Sequence, residues 1–279
     1  MSAAATDAGG TGSASRGEPG LSGRTALVTA ASDGLGLACA LRLARAGCNV
    51  AICARRRDRL DEAERAIAQA GAAGVLAMEA DLADPDAAEG LVPATVARFG
   101  SVDILIVNSG HIAYGGLEDL SDEQWHEGYA LLLMSAVRLA RAAVPVMRAA
   151  GGGDIVFLTS ATLQSATPHL LLSSVFRTGV ASLAKTLSHA VAADGIRVNT
   201  VAPGYFDTGR VRERIDALVA QEGIARSAAV ARVAGDVPVG RIGMAEELAN
   251  VVAFVVGPAA RYLDGATITL DGGKGRALF

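Results

Sequence analysis

Short apolar runs alternating with helical stretches predict an α/β protein: one domain built on a doubly wound, seven-stranded parallel sheet with helices on both faces. Three observations carry this. The chain has 279 residues, 51% hydrophobic but only 4% aromatic, so its core must be close-packed Ala, Val, Leu and Ile. At this length roughly 75% of the unfolded chain's surface can be buried, enough for one large α/β domain. No stretch rich in Gly, Pro or Ser interrupts the alternation once it starts. Each parallel connection needs a crossover, so repeated β–α units imply parallel pairing.

In order, residues 1–22 are mostly Ala, Gly, Ser and Thr without apolar periodicity. Such a composition cannot offset its ordering entropy, and it reads as a disordered leader before a domain spanning 23–279. It has no basic start followed by an apolar segment, and Asp7 and Glu18 count against a transit peptide. Residues 25–29, 49–53, 74–79, 103–107, 154–159, 196–201 and 266–270 are the expected strands. The segment 205–238 is polar, Arg-rich and longer than a connector should be. It is expected to be a substrate lid, with a loosely ordered surface excursion as the alternative.

Net charge is −4 and basic residues are scattered, which gives no footprint for nucleic acid or an anionic membrane. No uninterrupted apolar run approaches the ~18–20 residues of a membrane helix. Cys39, Cys48 and Cys53 crowd into one short stretch and read as buried structural thiols, which points to a reducing, cytoplasmic compartment. No metal-ligand pattern is read. Of 25 basic residues only Lys185 and Lys274 are lysines, and there are four tyrosines. A GC-rich coding habit accounts for much of that, but it makes any chemistry requiring Tyr and Lys easy to check.

After the first strand stand Thr29, Ala30, Ala31, Ser32, Asp33, Gly34, Leu35 and Gly36, leading into a helix. Glycines there let the backbone approach a pyrophosphate, and the helix N-terminus offers unpaired N–H groups and a positive dipole. Asp81 and Leu82 follow the third strand; Asn108, Ser109 and Gly110 follow the fourth. Asn199, Pro203, Gly204 and Thr208 lie in and after the sixth, and Asp271, Gly272 and Gly273 after the seventh. Taken together, these motifs over residues 24–274 resemble the short-chain dehydrogenase/reductase family, whose domain is a Rossmann-type fold. The resemblance implies a nicotinamide cofactor held by Thr29, Ser32, Asp33, Gly34, Leu35, Gly36, Asp81, Leu82, Asn108, Ser109, Gly110, Pro203, Gly204 and Thr208. The family's first glycine is replaced by Ala30, whose methyl group could push the diphosphate outward. The second strand ends in Ala54, where an acidic residue would bind the ribose 2′-hydroxyl of NAD, and Arg55-Arg56-Arg57 follow. That favours NADP(H), with Arg55 gripping the 2′-phosphate. Arg56, Arg57 and Arg59 have the alternative of a solvated helix start, and the charge of Asp33 is a counterweight.

At the catalytic end the pattern departs. The family's tetrad is Asn, Ser, Tyr and Lys, with the last two spaced Y-x-x-x-K. Ser160 matches the Ser; Leu132, Ser173 and Arg177 stand at the positions of Asn, Tyr and Lys, and no Y-x-x-x-K exists anywhere in the chain. This looks like the 3-oxoacyl-ACP-reductase-like subgroup in which S-x-x-x-R takes that place. An alkyl hydroxyl is far less acidic than a phenol, so Ser173 is a poor general acid. With Ser160 it can still donate hydrogen bonds to a developing oxyanion. Arg177 cannot relay protons but can bind ribose hydroxyls and hold positive charge nearby. The surrogates for the missing acid are His169, Tyr205 and Tyr114, with Tyr129 beside Leu132; each has a plainer reading as loop, pocket wall or core.

The leading expectation is an NADP(H)-dependent reductase of a small, largely apolar carbonyl substrate, or the reverse oxidation, acting through Ser160, Ser173 and Arg177. The alternatives are a non-redox cyclase, isomerase or dehydratase on the same fold, and a nucleotide-sensing protein. The resemblance also implies a homodimer or homotetramer, with residues 118–147 and 181–193 suited to a helical seam.

Overall fold

The computed structural model describes residues 18–165 and 167–277. Seven strands, β1 (Thr25–Val28), β2 (Asn49–Ala54), β3 (Gly74–Glu79), β4 (Ile104–Val107), β5 (Gly153–Leu158), β6 (Ile196–Pro203) and β7 (Thr267–Leu270), form one sheet. Its order is β3-β2-β1-β4-β5-β6-β7 and every pair is parallel. All seven expected strands are present, shifted by no more than a residue or two at their ends. Strand order reverses between β1 and β4, so their carboxyl ends open the crevice where such sheets bind ligands.

Alternation decides the faces. Ala26, Val28, Ile104 and Ile106 pack on one side, beneath α1 (Gly34–Arg45), α2 (Arg57–Gln69) and α9 (Ala245–Val256). Leu27, Leu105 and Val107 face the other side, beneath α3 (Pro85–Phe99), α5 (Ser135–Ala149) and α6 (Leu171–Val191). Period-two side-chain alternation in a sheet covered on both faces makes both sets apolar, which is why these strands read as continuous hydrophobic runs.

Three expectations change in detail. Residues 1–17 of the proposed leader lie outside the described residues, but Glu18–Ser22, exposed except for Leu21, are tethered to the domain. Leu21 is fully buried, Leu21 and Ser22 donate backbone hydrogen bonds to the Glu18 carbonyl, and the Glu18 carboxylate pairs with Arg42 at 2.6 Å. One apolar anchor and one capping ion pair suffice, and a composition average over 22 residues hides them.

Second, the helix expected over 118–147 starts at α4 (Asp122–Gly128), where Ser121 and Gln124 form a capping box. It widens into a π-helical turn, Tyr129–Met134, before continuing as α5. By length and composition the run Asp122–Ala149 could cross a membrane. Here Ala136, Leu139, Ala140, Ala143 and Met147 are instead packed into the domain core.

Third, 205–238 is helical: α7 (Gly209–Glu222) and α8 (Arg226–Ala234) pack on each other through Val211, Ile215, Ala229 and Val233. The loosely ordered alternative therefore fails for the described chain. The polar, Arg-rich look comes from exposed faces around a narrow apolar seam.

The three cysteines are buried as expected. Burial pushes the thiols of Cys39 and Cys53 up to about 12 and that of Cys48 to about 11, so they stay protonated and inert near neutrality.

Candidate active site

The carboxyl ends of β1, β4, β5 and β6 surround a cleft of about 590 Å³ roofed on one side by α7. Its first wall is the β1–α1 turn. Ala30 has φ 46°, the left-handed region that costs an L-residue roughly 1–2 kcal/mol and that a glycine would adopt freely. The structure thus gives the physical reason for the glycine that the resemblance expects there: the backbone turns tightly whichever residue is present. At Gly36 no side chain fits, since a Cβ would lie 2.6 Å from the Ala30 carbonyl and 2.8 Å from Asn108 Nδ2. Asp33 caps α1, its carboxylate accepting from Gly34 N at 2.7 Å.

Of the residues expected to hold a cofactor, Ser32, Asp33, Gly34, Leu35, Arg55, Asp81, Leu82, Asn108, Ser109, Gly110, Arg177, Pro203, Gly204 and Thr208 all line this cleft. Thr29 and Gly36 do not. Thr29 is fully buried; its hydroxyl accepts from Asn108 N at 2.9 Å and donates to Asn108 O at 2.6 Å, stitching the end of β1 to that of β4. Asn108 Nδ2 donates to the Ala30 carbonyl at 3.0 Å and holds the strained turn. Thr29 is thus a scaffold residue and Gly36 a close-approach residue, and neither touches the cleft.

Arg55 and Arg56 both line the nucleotide end. Arg57 and Arg59 are instead engaged along their own helix, with Asp61 at 2.8 Å and Glu62 at 3.3 Å. The run of arginines divides into two that face the cleft and two that belong to the helix surface.

At the catalytic end Ser160, Ser173 and Arg177 come together on the cleft wall. Ser160 follows β5; its Oγ accepts from Thr162 N at 3.2 Å, which leaves its O–H free to donate. Ser173, in the first turn of α6, is 5% exposed. One turn further along, Arg177 is 8% exposed. Its Nη1 donates to the carbonyls of Leu158 and Thr159 at 3.0 and 3.1 Å, and its Nη2 to Ser109 Oγ at 3.2 Å. The guanidinium ties the end of β5 to the loop after β4, and its remaining N–H donors are left for a ligand. Burial, and then the charge of Arg210, pull its pKa down to about 10, so it remains a cation at neutral pH.

The expected pocket residues divide. Tyr114 and Tyr205 line the cleft, whereas Leu132 and His169 do not. Leu132 is buried with Leu120, Leu172 and Phe176. Its neighbour in the π-helical turn, Leu131, lines the cleft instead. His169 is exposed, and its carbonyl accepts from Gly115 N at 3.0 Å, which fixes the loop with its backbone rather than its ring. Tyr129 is 45% exposed and packs its ring toward Phe176.

His111, Arg210, Glu213 and Arg214, which no sequence motif marks, also stand on the cleft wall. His111 directly follows Asn108-Ser109-Gly110, a position that could have flagged it. Burial first, then the positive charge of Arg210, with smaller contributions from Arg177 and Arg55, lowers its pKa against the opposing pull of Glu213. Its imidazole is therefore neutral at neutral pH.

A reversal of strand order in a parallel sheet, with a glycine-containing turn and a cleft over the reversal, defines the nucleotide-binding class of doubly wound α/β proteins. Within that class, the enoyl-(acyl carrier protein) reductase family matches residues 29–274. Dehydrogenase/reductase SDR family member 4 from Bos taurus is 32% identical over 255 residues, 91% of this chain and 88% of that protein. The 3-oxoacyl-[acyl-carrier-protein] reductase FabG of Staphylococcus aureus (strain N315) is 31% identical, over 90% of this chain and 97% of its own. L-Sorbose reductase from Gluconobacter frateurii, solved with NADPH and L-sorbose, superposes with a TM-score of 0.89 at 33% identity, covering 95% of this chain and 100% of that one. A variant actinorhodin polyketide ketoreductase with NADPH gives 0.86 at 30% identity, over 91% and 98%. The chain belongs to the short-chain dehydrogenase/reductase family of oxidoreductases.

Proposed function

We propose that this protein is an NADP(H)-dependent carbonyl reductase of the subgroup in which S-x-x-x-R replaces Y-x-x-x-K. The observation that carries it is the convergence of Ser160, Ser173 and Arg177 on the same cleft as the nucleotide-binding turn. The residues present fit a dinucleotide. The β1–α1 turn, whose Ser32, Gly34 and Leu35 line the cleft at the start of α1, suits a pyrophosphate, and the two cleft-facing arginines suit a 2′-phosphate. NADPH-bound sorbose and polyketide reductases among the structural neighbours agree with that choice.

When bound, the reduced cofactor supplies the hydride. Ser160 and Ser173 donate hydrogen bonds to the carbonyl oxygen as negative charge develops, and Arg177 keeps a fixed cation near it. Neither serine hydroxyl nor guanidinium delivers a proton efficiently. We assign proton delivery to His111, directly or through water.

That assignment sets a pH dependence. A histidine whose pKa is lowered carries its proton only below the usual imidazole range, so kcat/KM for carbonyl reduction should rise as pH falls from about 7 to 5. A flat profile, or an unchanged one in His111→Gln, contradicts the assignment.

Cofactor choice is tested separately. Arg55→Ala should raise the Kd for NADPH about 10–100-fold, the worth of one charge-assisted pair, and leave NADH binding within about twofold. Equal losses for both cofactors would remove the 2′-phosphate role. Assay of NADPH consumption against ketones, quinones and 3-oxoacyl thioesters tests the function as a whole; neither turnover nor NADPH binding would overturn it.

The protein acts in the cytoplasm on a small-molecule substrate under α7 and α8, which serve as the lid. It assembles as a homodimer or homotetramer through the outer faces of α5 and α6. Light scattering of the purified protein tests the assembly, and a monomer contradicts it.

A further inference from the structure

The arginines of the lid fall into two sets. Arg212, Arg226 and Arg232 pair with carboxylates, those of Asp207, Asp216 and Glu222. Arg210 and Arg214 line the cleft and, among the described residues, have no carboxylate partner. Each rests on a phenol instead. Arg210 donates Nε–H to the Tyr114 hydroxyl and lies 4.7 Å from that ring's centroid. Arg214 donates to the Tyr205 hydroxyl at 3.0 Å, 5.3 Å from its ring. The two are four residues apart on α7 and so share one face of it.

A third cation stands in the same cleft. Arg177 is more than nine-tenths buried, and its hydrogen-bond partners are two carbonyls and a hydroxyl, all neutral. A buried guanidinium without a counter-charge is costly unless something anionic visits it. Glu213 and, against Gly209 at the start of α7, Asp33 are the carboxylates near the lid; among the lid's arginines the charge of Asp33 bears on Arg212. Positive charge in a low-dielectric cleft concentrates anions, and a guanidinium fork matches carboxylate or phosphate oxygens in pairs. An arginine stacked on a phenol keeps its charge uncancelled and exchanges that contact readily for an anion.

We propose that the substrate end of the cleft takes an anionic carbonyl compound, one bearing a carboxylate or phosphate group. Arg210 grips it from the lid, Arg214 supports from the next turn, and Arg177 lies in the cleft wall. The proposal rests on the reductase reading and narrows its substrate class. Sequence reasoning, which expected a largely apolar substrate, had no means of telling which lid arginines are already neutralised. Binding of the anion draws Arg210 off Tyr114 and holds α7 over the cleft.

The test is calorimetric binding of four probes to the protein saturated with NADP⁺, followed by NADPH turnover with the same four: levulinate, methyl levulinate, dihydroxyacetone phosphate and dihydroxyacetone. At least one anion should bind tenfold or more tightly than its neutral counterpart, with the advantage shrinking as salt rises. Which pair shows it separates carboxylate from phosphate. Arg210→Ala should abolish the preference while leaving NADP⁺ affinity unaltered. Tyr114→Phe, which removes only the phenol's hydroxyl, and Arg212→Ala, whose partner is Asp207, should both keep it. Equal binding of anion and neutral counterpart overturns the proposal. So does an Arg210→Ala variant that loses NADP⁺ instead, because the anion would then be the cofactor's own phosphate. Arg210-dependent anion binding without NADPH consumption would keep this site and overturn the reductase reading. Turnover of neutral and anionic probes alike would do the reverse.

Discussion

Arg177→Ala should lower stability and cofactor affinity together. The side chain holds the carbonyls of Leu158 and Thr159 and the Ser109 hydroxyl, so its removal leaves buried acceptors unpaired at the ends of two strands. Such groups cost about 1–3 kcal/mol each when orphaned. A loss of about 2–4 kcal/mol, read as a Tm lower by roughly 5–15 °C, is expected. NADPH affinity should fall at least tenfold, because the β4 and β5 ends that shape the nicotinamide side of the cleft are no longer joined. Arg177→Lys keeps the charge but not the planar fork, and should fall between the two. Thermal unfolding and cofactor titration of both variants check this; an Arg177→Ala protein as stable and as tightly binding as the parent would show that the link is idle.

The second large effect lies at the opposite end of the sheet. Asp154, the second residue of β5, is 2% exposed and contacts Arg24 at 2.6 Å and Arg197 at 2.5 Å. Arg24 and Arg197 also donate to the carbonyls of Asp103, Val255, Val256, Ala260 and Leu263, fastening the start of the sheet to the end of α9. The Oδ1 contact is close but badly angled for a hydrogen bond, so its value there is mainly coulombic. Asp154→Ala strands two guanidinium groups around a single vacated carboxylate position, a change worth about 3–5 kcal/mol. A Tm lower by roughly 6–20 °C is expected, with NADPH affinity of the folded protein unchanged because the cleft is at the far end of the strands. Equal loss of binding and stability would contradict that separation.

The strands were legible because a parallel sheet covered on both faces forces unbroken apolar runs, and the nucleotide turn because its glycines and its place after β1 have a geometric cause. Legibility failed where the cause was not periodic. Leu132 was expected in the pocket from its match to the family's Asn position, whereas in the π-helical turn Tyr129–Met134 it is buried and Leu131 lines the cleft. His169 lies between Ser160 and Ser173 in the sequence but not on the cleft wall; His111, equally exposed, lines the cleft through a loop with no periodicity at all. Arg177 was readable as a cation at the lysine position, but not as a clamp on backbone carbonyls, since main-chain acceptors leave no trace in sequence. Thr29 failed for the same reason: its partners are the main-chain N–H and C=O of Asn108. The helical segment 205–238 was visible only as an interruption, because α7 and α8 bury a narrow seam and expose most of their surface.

With Ser173 and Arg177 proposed in place of the family's phenol and ammonium, hydride transfer is the step on which the proposed function stands. The most direct measurement is incubation with NADPH deuterated at the transferring C4 position and a carbonyl substrate from the panel, followed by mass spectrometry of the product. A reductase gives an alcohol carrying one deuterium on the former carbonyl carbon, and Ser160→Ala with Ser173→Ala should slow its formation by about 10²–10⁴. A product of unchanged mass, or one lighter by water, with no deuterium taken up, would contradict the account and identify the cleft as the site of a non-redox reaction.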